Sequence, residues 1–191
     1  MRYFIFTLFA LFFAGTYVQG QGAALTDSMS QALLHAKEDT NKARLLDALS
    51  FAYYTIDPAK GIQYGRQLIA LSTKLEWKTG LAMGYADLGI NYEAIPDHAQ
   101  ALENDLMALK LCEQLGNKKG MFGNLANISV IYVDQSNYPK ALEYALQALW
   151  MSEELGEMED RASILSNIAV IYLERNNYIK ALQYESAALI V

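Results

Sequence analysis

The stretch NISVIYVDQSNYPKALEYALQALWMSEELG, Asn127 to Gly156, decides the fold because the chain repeats it forty residues later. The second copy reads NIAVIYLERNNYIKALQYESAALIV, Asn167 to Val191. Self-similarity at one fixed period is the sequence signature of a repeat architecture. The chain is therefore predicted to consist of copies of one structural unit. The columns that share the period of forty are Tyr92, Tyr132 and Tyr172; Gly61, Ala101, Ala141 and Ala181; Leu75, Leu115 and Leu155; Leu88, Ile128 and Ile168; and Gly89, Ser129 and Ala169.

Each unit contains two helical patterns joined by a short polar turn. Apolar residues recur at helical spacing before the turn and again after it, as one buried face of a helix requires. Pro139 and the pair Asp57-Pro58 stand at helix starts, where the missing proline N–H costs little and an aspartate can cap. Gly116 and Gly156 stand where a helix would end in a left-handed residue. The unit is predicted to be an antiparallel helix hairpin, and stacked hairpins make an all-α, curved solenoid.

This pattern resembles the tetratricopeptide repeat, and the resemblance covers roughly Asp39 to Val191. It implies a right-handed superhelical solenoid of antiparallel hairpins. The period is forty instead of the usual thirty-four, and Leu-Gly replaces the proline that usually follows the second helix. The residues that carry the resemblance are Tyr85, Leu88, Gly89, Tyr92, Ala101 and Ala108; Leu125, Ile128, Ser129, Tyr132, Ala141 and Ala148; and Leu165, Ile168, Ala169, Tyr172, Ala181 and Ala188. The predicted organisation is a lead-in helix at 21–38, a degenerate unit at 39–79, full units at 80–119 and 120–159, and a truncated unit at 160–191.

The N-terminus predicts export. Arg2 precedes an apolar run from Tyr3 to Val18 without a charge, and small residues follow, as in a secretory signal peptide. Residues 1–20 are therefore predicted to be a signal peptide cleaved before Gln21, which places the protein in the periplasm or another extracytoplasmic space. The alternative is an uncleaved membrane anchor, although the run is shorter than the roughly 20 residues of a spanning helix.

The residues that could carry chemistry are few. The only histidines are His35, in the lead-in helix, and His98, in a turn column, and neither has a partner at metal-ligand spacing. Cys112 is the only cysteine and is interpreted as a small packing residue. We expect no catalytic residue, no enzyme activity, no cofactor and no metal site. A net charge of −6 without a basic cluster also argues against nucleic-acid binding.

What remains is a surface for a partner. The resemblance implies that the first helix of each unit lines a concave face, where an asparagine often hydrogen-bonds the backbone of a bound peptide. The alternative is a solvated polar face without a ligand. Since carboxylates and amides would not capture an acidic tail, the expected partner is a neutral or basic segment of a protein or peptide. The residues predicted to line this face are Asp87, Glu93, Asn127, Asp134, Asn167 and Glu174, with Glu93, Asp134 and Glu174 at exposed positions.

Two functions fit these features. The first is a non-catalytic, exported scaffold that binds a protein or peptide. The second is the sensory segment of a membrane signalling protein, because the lead-in AKEDTNKARLLDALSFAYYTIDPAKGIQYG, Ala36 to Gly65, resembles the extracytoplasmic sensor regions of bacterial signalling proteins. There a membrane helix is followed by a histidine kinase, nucleotide cyclase or DNA-binding output domain. The final AALIV leaves an apolar end, which a missing continuation, a partner or a second copy would cover.

Overall fold

The computed structural model describes residues 25–156 and 158–190, and within them every regular element is a helix. The predicted signal peptide, residues 1–20, lies outside the described residues. A first helix, α1, covers 25–35 of the predicted lead-in. The others are α2 (Thr40–Tyr53), α3 (Pro58–Lys74), α4 (Lys78–Ala94), α5 (His98–Leu115), α6 (Lys118–Asp134), α7 (Tyr138–Leu155), α8 (Met158–Glu174) and α9 (Tyr178–Ala188).

The helix ends follow the expected local chemistry. Asp57 caps α3, which starts at Pro58, and the same cap recurs every forty residues at Asp97, Asn137 and Asn177. Each cap oxygen accepts a hydrogen bond from the backbone N–H three residues later, at 3.2 to 3.4 Å. Such a cap stabilises a helix by about 1 kcal/mol relative to alanine.

Two glycines end the second helices of the middle hairpins. Gly116 follows α5 with φ 64° and Gly156 follows α7 with φ 70°. This is the left-handed conformation that glycine adopts without steric cost. The expected helix ends at both positions are confirmed, and each leads within a few residues into the next hairpin.

The helices form four stacked hairpins: α2–α3, α4–α5, α6–α7 and α8–α9. Each second helix also contacts the first helix of the next hairpin. First helices contact the next first helix, whereas within the described residues no second helix contacts another second helix. Because the first helices lie closer together, they form the inner, concave side of the solenoid. The predicted all-α solenoid is confirmed.

Small and branched residues make the core between hairpins. Ala101, Ala141 and Ala148 are fully buried, as are Ile128 and Ile168. The alanines let neighbouring helices approach closely, while the isoleucines fill the space beside them. Each fully buried isoleucine contributes roughly 1.5–3 kcal/mol. The apolar positions that recur every forty residues are therefore packing positions.

Stacked tyrosines join the two helices of the later hairpins. The rings of Tyr132 and Tyr144 lie 5.5 Å apart, and those of Tyr172 and Tyr184 lie 5.4 Å apart. In the hairpin α4–α5, Asn104 occupies the column of Tyr144 and Tyr184. The hairpin α4–α5 therefore lacks this tyrosine stack.

Candidate functional site

All six predicted site residues lie on first helices, and thus on the concave side. Asp87 and Glu93 belong to α4, Asn127 and Asp134 to α6, and Asn167 and Glu174 to α8. Asn127 and Asn167 are half-buried, whereas Asp134 and Glu174 are exposed. The Tyr138 hydroxyl lies 3.5 Å from Glu174 Oε2 and donates a hydrogen bond to it.

Two of the six are more buried than the sequence suggested. Asp87 is only 5% exposed, because α2 packs against α4 at this point. Glu93 was expected to be exposed, but it is half-buried. Burial and the nearby Asp134 raise the pKa of Glu93, while His98 lowers it.

Asp87 faces a second carboxylate, Asp47, at the equivalent position of α2. Burial and then Asp47 raise the pKa of Asp87 well above its usual range, and the Ser50 hydroxyl lowers it. Burial also raises the pKa of Asp47, to about 6. Asp87 Oδ2 accepts no hydrogen bond from the described part of the chain. Sequence reasoning missed Asp47 because its unit is degenerate, although it lies forty residues before Asp87.

Asp105, on α5, is the most unusual side chain near this surface. It is fully buried, and neither carboxylate oxygen accepts a hydrogen bond of ordinary geometry from any residue described in the structure. Its carboxylate occupies the space above Gly89, where an added Cβ would lie 2.2 Å from Oδ1. Burial first, and Glu93 second, raise the pKa of Asp105 to about 8, while the Asn127 amide lowers it.

These interactions bring four residues of three helices together. Glu93 interacts with both Asp105 and Asp134, and Asn127 interacts with Asp105. We call Glu93, Asp105, Asn127 and Asp134 the acidic junction. Sequence reasoning missed Asp105 because it lies on a second helix, where no site was expected.

The polar character of the hairpin α4–α5 is not required by the repeat. In the next hairpin, Ile131 replaces Asn91, Val133 replaces Glu93 and Ala145 replaces Asp105. Ile131 and Ala145 are fully buried. Apolar residues at these positions are therefore sufficient for packing, and packing does not explain the polar residues of α4–α5.

The amide of Asn91 is tied into the structure by several bonds. Its Nδ2 donates to the backbone oxygen of Asp87 at 2.8 Å and to that of Ser50 at 3.1 Å. The side chain fills the space above Gly61, where an added Cβ would lie 1.7 Å from Oδ1. Asn91 thus links α2, α3 and α4 beneath the Asp47–Asp87 pair.

A second surface feature lies at the C-terminal end of the solenoid. A pocket of about 360 Å³ opens between α8 and α9. Leu173, Tyr178 and Leu182 are 49%, 63% and 69% exposed, whereas their equivalents Val133, Tyr138 and Leu142 pack against the core. The lining residues are Ala169, Val170, Leu173, Tyr178, Ala181, Leu182 and Glu185.

Two further properties bear on function. Among the described residues, no group of three or more histidine, cysteine, aspartate or glutamate side chains could hold a metal ion. No helix in the described ranges is long and apolar enough to cross a membrane. Cys112 is a buried free thiol whose pKa is raised by burial, which makes it a poor nucleophile.

Comparison with known proteins connects this architecture to helical repeats. No family model matches the chain, and no curated protein matches it. Solved structures do match. A Rap protein complexed with competence and sporulation factor superposes with a TM-score of 0.80 at 20% identity, over 91% of this chain and 50% of that chain. BtubC (BKLC) from P. vanneervenii gives 0.78 at 16% identity, over 90% of this chain and 73% of that chain.

A third structure carries the repeat in its description. It is a signal transduction ATPase with numerous domains (STAND) from Pyrococcus horikoshii with a tetratricopeptide repeat sensor, and it gives a TM-score of 0.78 at 20% identity. The match covers 90% of this chain and 27% of that chain. At these identities the likeness establishes the architecture: the chain has the helical-repeat fold of the tetratricopeptide type.

Proposed function

We propose that the chain is a non-catalytic scaffold that binds a protein or peptide on its concave side, outside the cytoplasm. The observation that carries the proposal is the polar lining of that side, where half-buried Glu93, Asn127 and Asn167 lie on the same helices as exposed Asp134 and Glu174. A solenoid presents such a surface to an extended segment of a partner. The similar Rap protein was solved in complex with competence and sporulation factor.

The charge of the concave side favours a neutral or basic segment. The carboxylates of Glu93, Asp134 and Glu174 repel an acidic partner and attract a basic one. Much of this attraction comes from exposed groups and will weaken with salt, because the screening length is only about 10 Å at 0.1 M salt.

Export is supported by the N-terminal sequence. The apolar run from Tyr3 to Val18 behind Arg2 has the form of a signal peptide. Fractionation of cells that produce the full chain tests this part. We expect the protein in the extracytoplasmic fraction with a new N-terminus at Gln21. Retention in the cytoplasm with an intact Met1 would contradict it.

A second candidate function is the sensory segment of a larger membrane signal-transduction protein. The similar STAND protein is described as having a tetratricopeptide repeat sensor, and this chain matches only 27% of it. The output domain would be a histidine kinase, a nucleotide cyclase or a DNA-binding regulator. Reading the gene past Val191 separates the two candidates, because the second requires an in-frame membrane helix and output domain.

Self-association through the C-terminal end is a further part of the proposal. The apolar pocket beside Leu173 and Leu182 has the surface that earlier hairpins bury against the next hairpin. Sedimentation of the purified protein tests it. We expect a dimer that Leu182→Lys converts to a monomer. A monomeric parent protein at micromolar concentration would contradict this part alone.

Selection from a displayed random-peptide library tests the binding function. We expect enrichment of sequences with lysine or arginine, with binding that weakens as salt increases. Enrichment of acidic C-terminal peptides would overturn the assigned charge preference. A selection without enrichment over the empty matrix would overturn the binding function itself.

A further inference from the structure

We propose that the acidic junction is a subsite for one arginine or lysine side chain of the bound segment. This inference rests on the proposed peptide-binding function and deepens it. The subsite consists of Asp105 at the bottom, Glu93 and Asn127 at half depth, and Asp134 at the rim.

Asp105 is not required for the packing of the repeat. It is fully buried, and neither of its oxygens accepts a hydrogen bond of ordinary geometry from the described residues, although the Asn127 amide lies near enough to lower its pKa. A buried polar group in this condition destabilises the protein that contains it. The equivalent position is Gly65 in α3 and Ala145 in α7, both buried, and in α9 it is Glu185, whose carboxylate is exposed. A carboxylate that the repeat does not need, and that costs stability, indicates a functional site.

The neighbouring helix α4 leaves space for this carboxylate at Gly89. An added Cβ at Gly89 would collide with Asp105, to which all three of its nearest side-chain atoms would belong. In the next hairpin the equivalent of Gly89 is Ser129, whose hydroxyl donates to the backbone oxygen of Ala141 at 2.9 Å. Gly89 and Asp105 thus occur as a matched pair in one hairpin.

The groups around Asp105 are mostly hydrogen-bond acceptors. Glu93 faces it from α4, Asn127 faces it from α6, and Asp134 of α6 interacts with Glu93. The basic group among these neighbours is His98, which starts α5 and is half-buried. The junction thus offers more hydrogen-bond acceptors than donors, because three carboxylates face one amide and one imidazole.

A guanidinium or ammonium group supplies N–H donors and a positive charge to these carboxylates. A guanidinium carries five N–H donors and a positive charge, and an ammonium carries three donors. Either can bond to Glu93 and Asp134 at the entrance and reach Asp105 once the Asn127 side chain turns aside. A long alkyl stem suits such a path, because its charged head can lie deeper than its backbone.

Affinity selection from defined peptide pools tests the proposal. Four pools of N-acetylated, C-amidated nonapeptides have random flanks and one fixed central residue: arginine, citrulline, lysine or norleucine. The purified full chain is incubated with each pool, and captured peptides are quantified by mass spectrometry. We expect at least tenfold more capture from the arginine and lysine pools than from their uncharged counterparts.

The variants exchange residues of one hairpin for those of the next. Asp105→Ala introduces the residue type of Ala145, and Glu93→Val introduces that of Val133. Each is expected to bring the charged-to-uncharged capture ratio down to less than threefold. Asp105→Asn, which keeps the shape of the side chain, should lower the ratio in the same way. Glu103→Ala, an exposed carboxylate of the same helix, is the matched control and should leave the ratio unchanged.

The possible outcomes separate this inference from the function on which it rests. Equal capture of the arginine and citrulline pools by the parent protein overturns the subsite. So does an unchanged ratio in Asp105→Ala when circular dichroism shows that the variant is folded. Capture of no pool above the matrix overturns the peptide-binding function, and the subsite with it.

Discussion

The hairpins α4–α5 and α6–α7 have equivalent caps and the same left-handed glycine at their ends, yet they differ on the concave side. The first carries Asn91, Glu93 and Asp105 at columns where the second carries Ile131, Val133 and Ala145. The second is what the repeat needs for packing. In α4–α5, polar groups replace the apolar residues that would pack at these positions. Comparing the two hairpins therefore identifies the acidic junction more clearly than either hairpin would alone.

The largest expected effect on stability comes from placing a carboxylate at the equivalent position of the hairpin α6–α7. Ala145→Asp would place a charge at a fully buried position of the core, next to a hairpin that has Ser129 where α4 has Gly89. We expect a loss of about 3 kcal/mol or more in the free energy of unfolding. Urea unfolding followed by circular dichroism measures it. Leu146→Asp, at an exposed neighbour on the same helix, is the control and should change little.

The next effect tests the fit between Gly89 and Asp105. Gly89→Ala would force the Asp105 side chain to move, since the new Cβ would lie 2.2 Å from its Oδ1. We expect a loss of about 1–3 kcal/mol. In the Asp105→Ala background the same change should be neutral or stabilising, because alanine favours helix by about 1 kcal/mol over glycine. Thermal unfolding of the four proteins gives the coupling energy. Additive effects would contradict the assigned contact.

Removing the buried carboxylate should stabilise the protein. Asp105→Ala eliminates a fully buried group that accepts no hydrogen bond of ordinary geometry from the described residues, at a column where the next hairpin buries an alanine. We expect a gain of about 1–3 kcal/mol at pH 7, and a higher Tm. A lower Tm in Asp105→Ala would show that Asp105 supports the fold, and would remove the main argument for the subsite.

The same carboxylate should make stability depend on pH. The pKa of Asp105 is about 8 and that of Asp47 about 6 in the folded protein, whereas an unfolded carboxyl titrates near pH ~4. Between these values the folded state binds more protons, so the free energy of unfolding falls as pH rises. We expect stability to decrease from pH 5 to pH 8, by at most ~1.4 kcal/mol per pH unit for each group. Asp105→Ala should have a shallower slope, and a parent protein that gains stability over this range would contradict the assignment.

The smallest effect tests what the two hairpins share. Asp97 and Asn137 cap α5 and α7 with equivalent hydrogen bonds, at 3.2 and 3.4 Å. Asp97→Ala and Asn137→Ala should each cost about 1 kcal/mol. Similar losses in thermal unfolding would show that the scaffold is equivalent in the two hairpins and that their difference is confined to the concave side. Unequal losses would show that it extends to the helix ends.

Much of this architecture follows from the sequence alone. The period of forty, the apolar columns, Asp57 and the glycines at 116 and 156 predict the hairpins and their ends, because helix periodicity and caps are local properties of the chain. The six site residues were likewise expected on one face, and all lie on first helices.

Only the tertiary structure decided how deep these residues lie and which neighbours they meet. Asp87 is buried because α2 covers it, and Asp105 joins Glu93 and Asn127 because α5 packs against both α4 and α6. The forty-residue period shows which positions of the hairpins are equivalent, but it does not show which helices pack around one carboxylate. Burial, and with it the raised pKa of Asp105, depends on that convergence, since desolvation is a property of the packed assembly of helices and not of any single helix.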